Sequence, residues 1–227
     1  CAINTIVVST VLAVNEDAFK GKVLPSKLTD LFDLKTFPGR RALQKQPQGN
    51  LEWAILADGV KPEEVYSLLE TEAGRERALD TIKSEVLWWT TGAQPPQMLA
   101  DKEVVIASAF NGRIHNARKD EGQPFRIIWD RQMGYMNGWA IPKGSENTKL
   151  ALDFIAFSSG TKPLADQAKY VAYGPTRKSS SAEVNPDILA NLPTAPQNFQ
   201  TAFLINDEWW SDYADELNEE FNTWLLN

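Results

Sequence analysis

Few groups in this chain are suited to covalent or metal chemistry. There is one histidine, His115, and one cysteine, Cys1. A single thiol forms neither an internal disulfide nor a cysteine zinc cluster. A single imidazole rules out a histidine-rich metal site and most catalytic triads. Ser179-Ser180-Ser181 lies outside any G-x-S-x-G context that would activate a hydroxyl. Glycine-rich loops that cradle phosphate do not occur either. The carboxylates Asp212, Asp215, Glu216, Glu219 and Glu220 read as the solvated face of a terminal helix. What remains is non-covalent binding, with no enzyme activity, cofactor or metal expected.

Two phrases place an aromatic next to an amide, Phe110-Asn111-Gly112 and Tyr135-Met136-Asn137. The first follows the apolar run Val104–Phe110 and precedes a helical stretch, Arg113–Asp120. It therefore sits at the carboxyl end of a strand, where ligand sites of open α/β sheets gather. Gly112 admits close backbone approach, and the helix start offers free N–H groups. Asn137 is polar inside an otherwise apolar phrase, YMNGWAIP. Phe110 reads either as a cleft wall or as a core residue, and Arg113 as a solvated helix residue. Residues 92–97 form either a tight connection or a cleft-edge loop offering Gln94. His115 reads as a surface or packing residue.

The elements that must position these residues alternate. Ile3–Val14 is a β-branched apolar run, hence a buried strand. A turn at Phe37-Pro38-Gly39-Arg40-Arg41 leads to a short strand. Helices are expected over Gly49–Leu56, Pro62–Leu69, Gly74–Ser84, Pro96–Lys102, Asn147–Phe157 and Leu164–Val171. Strands are expected over Val86–Trp89 and Phe125–Trp129, an extended stretch over Tyr135–Pro142, and a loop over Ala172–Arg177. Trp209, Tyr213, Leu217, Phe221 and Leu225 recur every four residues along a last helix, a packing stripe. Strand–helix alternation argues for an α/β sheet with crossover connections.

Of the 227 residues, 43% are hydrophobic, enough for a real core, and the net charge is -7. Lys and Arg form no stripe, so nucleic acid is not an expected partner. No apolar run reaches the roughly 18 residues that span a bilayer. A lipoprotein could begin at a lipidated Cys. Here a strand-like run follows Cys1 instead of a polar tether, so the expectation is a chain lacking its first part.

Five phrases in order, IVVSTVLAVN with TDLFDL and FPGRRAL, LADKEVVIASAFNGR, YMNGWAIPKGSENTKLALDFIAF, YVAYGPTR and NDEWW, resemble the periplasmic spermidine/putrescine-binding family of ABC importers over essentially the whole chain. The resemblance implies a two-lobe periplasmic-binding-protein-like (type II) α/β fold with the ligand between the lobes and the first lobe incomplete. It assigns residues 1–8 and 136–181 to the first lobe, and 9–135 and 182–227 to the second. It also implies a periplasmic solute receptor, a signal peptide in the full-length protein, a membrane permease as partner, and a polyamine such as putrescine or spermidine as solute. The ligand-contacting residues it suggests, together with those read above, are Phe110, Asn111, Tyr135, Asn137, Tyr173, Trp210, Gln46 and Gln94. The family's amine-binding acids are absent here. Asn137, Gln46 and Gly49 stand in their places, and amides accommodate either sign of ligand charge. An amino-acid-like or carboxylated solute is the alternative, and an enzyme on a related two-lobe fold a more distant one.

Overall fold

The computed structural model describes residues 2–82 and 86–226. The strands are β1 (Ala2–Asn15), β2 (Arg41–Gln44), β3 (Val86–Trp89), β4 (Ile106–Phe110), β5 (Phe125–Ala140), β6 (Gly174–Pro175) and β7 (Phe203–Leu204). They form one seven-stranded sheet in the order β3-β2-β4-β1-β5-β7, with β6 also pairing with β1. β2 runs parallel to β3 and β4, and β5 parallel to β7, whereas β1 is antiparallel to β4, β5 and β6. The helices are α1 (Asn50–Ala57), α2 (Val65–Leu69), α3 (Glu72–Ile82), α4 (Gln94–Ala100), α5 (Asn111–Asp120), α6 (Thr148–Ser158), α7 (Thr161–Gln167), α8 (Lys178–Ser181), α9 (Pro186–Leu189), α10 (Pro196–Phe199) and α11 (Asp207–Trp224).

The apolar run of β1 is continuous because both faces of the strand are covered. Leu12 and Val14 join a core with Trp53, Leu69, Ile82 and Phe221 from α1, α2, α3 and α11. Val11 and Ala13 join a second core with Leu99, Ile114 and Ala117 from α4 and α5. Successive strand residues point to opposite faces, so one unbroken apolar run serves two cores. α11 starts where Asn206 accepts the Trp209 N–H at 3.1 Å, with Asp207 and Glu208 in the positive first turn.

Several local expectations change, among them the helix expected over Leu164–Val171, which is Thr161–Gln167, and that over Pro62–Leu69, which is a 3-10 turn over Pro62–Glu64 followed by α2. Phe125–Trp129 and most of Tyr135–Pro142 belong to one strand, β5, which ends at Ala140, instead of two segments. The pairing shifts between Thr10↔Met133 and Leu12↔Ile128, so β5 carries extra residues there. That bulge takes up the polar stretch Asp130-Arg131-Gln132, with Arg131 at φ 54. Leu28 N–H donates to Asp130, Trp53 Nε1 donates to the Arg131 carbonyl, and Gln132 donates to the carbonyls of Pro193 and Asn198. α5 begins at Asn111, two residues early, and the loop over Ala172–Arg177 contains β6. The expected helix end at Ser84 and the terminal Cys1 lie outside the described residues.

One apolar surface has no cover. α6 has no buried residue; Leu150 is 69% and Phe157 70% exposed, and Ile3, Met136, Trp139 and Phe154 are also exposed. Trp139 and Phe154 pack edge to face at 5.1 Å, and both remain exposed. A contiguous patch of this kind marks a packing or interaction surface.

Arg41 is 1% exposed and holds the segment before β2 in place. Its guanidinium donates to the carbonyls of Leu31 at 2.8 Å, Gly39 at 2.6 Å and Phe37 at 2.7 Å. Replacing it with an apolar side chain orphans buried carbonyls. Arg41→Met should therefore lower the urea midpoint by the equivalent of about 3 kcal/mol at unchanged m-value. A loss within about 0.5 kcal/mol would show that these carbonyls find other partners.

Candidate functional site

Strand register brings Val8, Phe110, Tyr135 and Asn137 to one end of the sheet. β1 pairs Val8 with Tyr135, Ile6 with Asn137 and Thr10 with Phe110. Val8 and Thr10 are two apart, as are Tyr135 and Asn137, so their side chains project to the same side. A cavity of about 310 Å³ opens there, lined by Val8, Gln44, Gln46, Gln48, Phe110, Tyr135, Asn137 and Tyr173. That volume suits a small solute. Gln44 and Phe110 stand at the carboxyl ends of β2 and β4, where such sites form in α/β sheets.

The aromatic side chains are fixed from behind. Phe110 meets Trp89 edge to face at 5.6 Å, and Trp89 Nε1 donates to Ser108 at 2.9 Å. Tyr135 shares a hydrogen bond between its hydroxyl and that of Thr10. Burial pushes the Tyr135 phenol up, and the negative charge of Glu52 adds to the shift. Burial likewise raises Tyr173, while Arg113 acts in the opposite direction. Arg113 stands in the first turn of α5 and is itself exposed. Its Nε would lie 3.9 Å from a Cβ placed on Gly92, a position that also abuts the Phe110 ring.

The glutamine wall is a loop held by its neighbours' side chains. Asn50 Nδ2 donates to the carbonyls of Gln44 and Gln46, both at 2.7 Å. Gly49 takes φ 84, a left-handed conformation suited to glycine, and its N–H donates to Glu52 Oε2 at 2.7 Å. Glu52 Oε1 accepts from Trp210 Nε1 at 2.7 Å and from the Tyr66 hydroxyl at 3.3 Å. Burial pushes the Glu52 carboxyl above its ordinary range, against the hydrogen bonds from Trp210, Gly49 and Tyr66.

Five of the eight residues expected in a site line the cavity together: Gln46, Phe110, Tyr135, Asn137 and Tyr173. Three stand elsewhere. Asn111 is fully buried with both ends of its amide engaged, Oδ1 accepting the Ser9 N–H at 3.2 Å and Nδ2 donating to the Ala172 carbonyl at 2.6 Å. It is a strut that ties β1 to the segment bearing Tyr173. Trp210 is 4% exposed and turned into the core against Glu52. Gln94 Oε1 accepts the Thr90 and Thr91 N–H groups at 2.7 and 2.9 Å, closing the turn before α4. Sequence reasoning passed over Val8, Gln44 and Gln48. The cluster Gln44, Gln46, Gln48 within one short loop was the available signal.

Every lining side chain is neutral. Among the described residues no group of three or more His, Cys, Asp or Glu is arranged to hold a metal ion. No helix is long and apolar enough to cross a membrane. Residues 2–197 match a family described as bacterial extracellular solute-binding protein. The chain belongs to that family. Membership supports the extracytoplasmic, periplasmic location expected from the sequence. The chain is 40% identical over 227 residues to the gamma-aminobutyric acid-binding protein of Pseudomonas aeruginosa, covering 99% of this chain and 64% of that protein. It thus spans just under two thirds of the relative's length. The crystal structure of the periplasmic binding protein MotA from A. tumefaciens B6 in complex with glucopine superposes with a TM-score of 0.87 at 29% identity, over 98% of this chain and 70% of that one. The Atu4243 GABA receptor superposes with a TM-score of 0.86 at 31% identity, over 98% and 68%. The α/β periplasmic-binding-protein-like fold expected from the sequence is therefore present. Polyamine is not the solute for which these relatives are named.

Two outcomes test the geometry. A Cβ on Gly112 would sit 2.6 Å from Val171 Cγ2 and 2.7 Å from Tyr173 Cε1. Gly112→Ala should displace Tyr173 and weaken solute binding about tenfold by calorimetry, with a stability loss of about 1–3 kcal/mol; unchanged affinity would remove Tyr173 from the site. The second concerns acid. Because the folded state holds the Glu52 proton more tightly, unfolding releases it between the unfolded and folded pKa values, and stability falls as pH rises through that window. The melting temperature of wild type minus that of Glu52→Gln should decrease as pH climbs from roughly 4; a flat difference would mean that Glu52 titrates normally.

Proposed function

We propose that this chain forms the ligand-binding part of a solute receptor for an ABC importer, and that its solute is a small amino-acid zwitterion of the 4-aminobutyrate type. The observation that carries this reading is the neutrality of the cavity. Three aromatic faces, four amides and one valine line it, and no carboxylate does. A diamine with two ammonium groups would enter without counter-charges in the wall, and desolvating an unpaired charge is costly. A zwitterion carries its own compensation. Its ammonium suits the faces of Phe110, Tyr135 and Tyr173, its methylene chain the same rings, and its carboxylate the amide N–H groups and Arg113 at the rim. The 40% identity to a protein named for γ-aminobutyric acid supports the same choice.

The function is binding and delivery to a membrane permease, without catalysis. Residues 1–8 and 136–181 go with one lobe and 9–135 and 182–227 with the other. The bare face of α6 and the outer ends of β1 and β5 fall in the first of these. In the intact receptor that face packs against further first-lobe structure.

Calorimetry of the intact protein with 4-aminobutyrate and putrescine tests the reading. Binding of 4-aminobutyrate with putrescine at least tenfold weaker is expected. Arg113→Gln should then weaken 4-aminobutyrate about tenfold and leave putrescine unaffected, since only the former presents a carboxylate. Tight binding of putrescine alone would return the solute to the polyamine class and leave the receptor role standing.

A further inference from the structure

Of the three aromatics in the cavity wall, Phe110 and Tyr135 belong to strands, and Tyr173 stands in a short segment between α7 and β6. No strand ladder fixes Tyr173 itself, so its neighbours must. Downstream, β6 pairs Gly174 with Val7 and Pro175 with Ile6, and the Thr176 N–H donates to the Thr5 carbonyl at 3.1 Å. Upstream, the chain turns sharply about Ala172, the Tyr173 N–H donating to the Val171 carbonyl at 2.8 Å. A three-residue turn of this kind leaves the carbonyl of its central residue without a partner inside the turn. Ala172 is fully buried, so solvent does not serve that carbonyl.

Asn111, the first residue of α5, serves it instead. Its Nδ2 donates to the Ala172 carbonyl at 2.6 Å, and its Oδ1 accepts the Ser9 N–H at 3.2 Å. Exchanging the two ends of the amide would set its oxygen against the Ala172 carbonyl and its nitrogen against the Ser9 N–H, so the side chain has one orientation. Ser9 and Val7 are two residues apart on β1. The segment is thus tied to the same strand on both sides of Tyr173, through Asn111 before it and through β6 after it. A second amide of α5 assists, Asn116 Nδ2 donating to the Tyr170 carbonyl at 3.3 Å. The Tyr173 ring rests against Gly112, the residue next to Asn111, where a Cβ would come within 2.7 Å of Cε1.

We propose that Asn111 is a positioning residue for solute binding. Through the Ala172 carbonyl it sets the Tyr173 ring in the cavity wall before the solute arrives, so binding does not have to order that ring. Asn111 touches no solute atom. The inference rests on the solute-receptor reading above, and not on the choice between a zwitterion and a diamine.

The test is a double-mutant cycle on the intact protein. Calorimetry with 4-aminobutyrate and putrescine selects the compound that the wild type binds more tightly, and that compound is used throughout. Asn111→Asp keeps the shape of the side chain and the acceptor for Ser9, and replaces the donor to Ala172 with an oxygen. It should weaken binding about tenfold. Tyr173→Ala should weaken binding at least as much. Asn111→Asp added to Tyr173→Ala should then cost less than about a further twofold, because the ring it positions is gone. A purely structural role predicts the same loss in both backgrounds, and that result overturns the inference. So does unchanged affinity in either single variant. If Asn111→Asp does not fold, Asn116→Ala loosens the same segment at its exposed end. It should weaken binding about threefold in the wild type and leave Tyr173→Ala unchanged; equal effects in the two backgrounds, or none in the wild type, overturn the inference. A wild type that binds neither compound removes the solute reading and this inference with it.

Discussion

The antiparallel pairing of β1 with β5 runs from Ala2↔Ala140 to Asn15↔Phe125, and the site depends on its register. The side-chain period of a strand is two, so a slip of one residue would send Tyr135 and Asn137 to the other face. Two features pin the register. The bulge at Thr10–Leu12 opposite Ile128–Met133 fixes one end, with its polar residues bonded to the 3-10 turn before β2, to α1 and to the segment around α10. Both apolar cores also demand their own set of β1 residues, Leu12 and Val14 on one side and Val11 and Ala13 on the other. Once β1 is in register, Thr10 brings Phe110 and Val8 brings Tyr135 to the same rim.

Around that rim the chain uses amide groups as fasteners as well as lining. Asn50 holds the glutamine loop, Asn111 ties β1 to the Tyr173 segment, and Gln94 closes the turn before α4. Gln44, Gln46, Gln48 and Asn137 face the cavity instead. An amide whose donor and acceptor ends are both engaged has little left for a ligand.

Charge follows a related division. The solute cavity has neutral walls, with a carboxylate sealed behind one of them and a guanidinium exposed beyond another. Aromatic rings cover hydrocarbon whatever its end groups, so they can be common to receptors of different solutes.

Periodicity in the sequence determined the strand–helix alternation, the double-faced burial of β1 and the packing role of the α11 stripe, because burial at period two or 3.6 is written locally. Five cavity residues were legible as well, since Phe110, Tyr135, Asn137, Tyr173 and Gln46 sit in phrases that resemble a known family. The same phrases pointed first to a polyamine, and the amides in place of the family's acids left an amino-acid-like solute only as the alternative. Tertiary structure decided the rest. Asp130-Arg131-Gln132 looks like a break until bonds from Leu28 and Trp53, and from Gln132 to Pro193 and Asn198, keep it inside β5. Asn111 and Trp210 read as ligand contacts until Ser9, Ala172 and Glu52 are seen to occupy their polar atoms. Glu52 read only as part of the helix over Gly49–Leu56, because the indole that holds it is 158 residues away in the chain. Local patterns record which side of an element is buried; which polar group meets which depends on partners brought together by the sheet, and no short-range pattern encodes them.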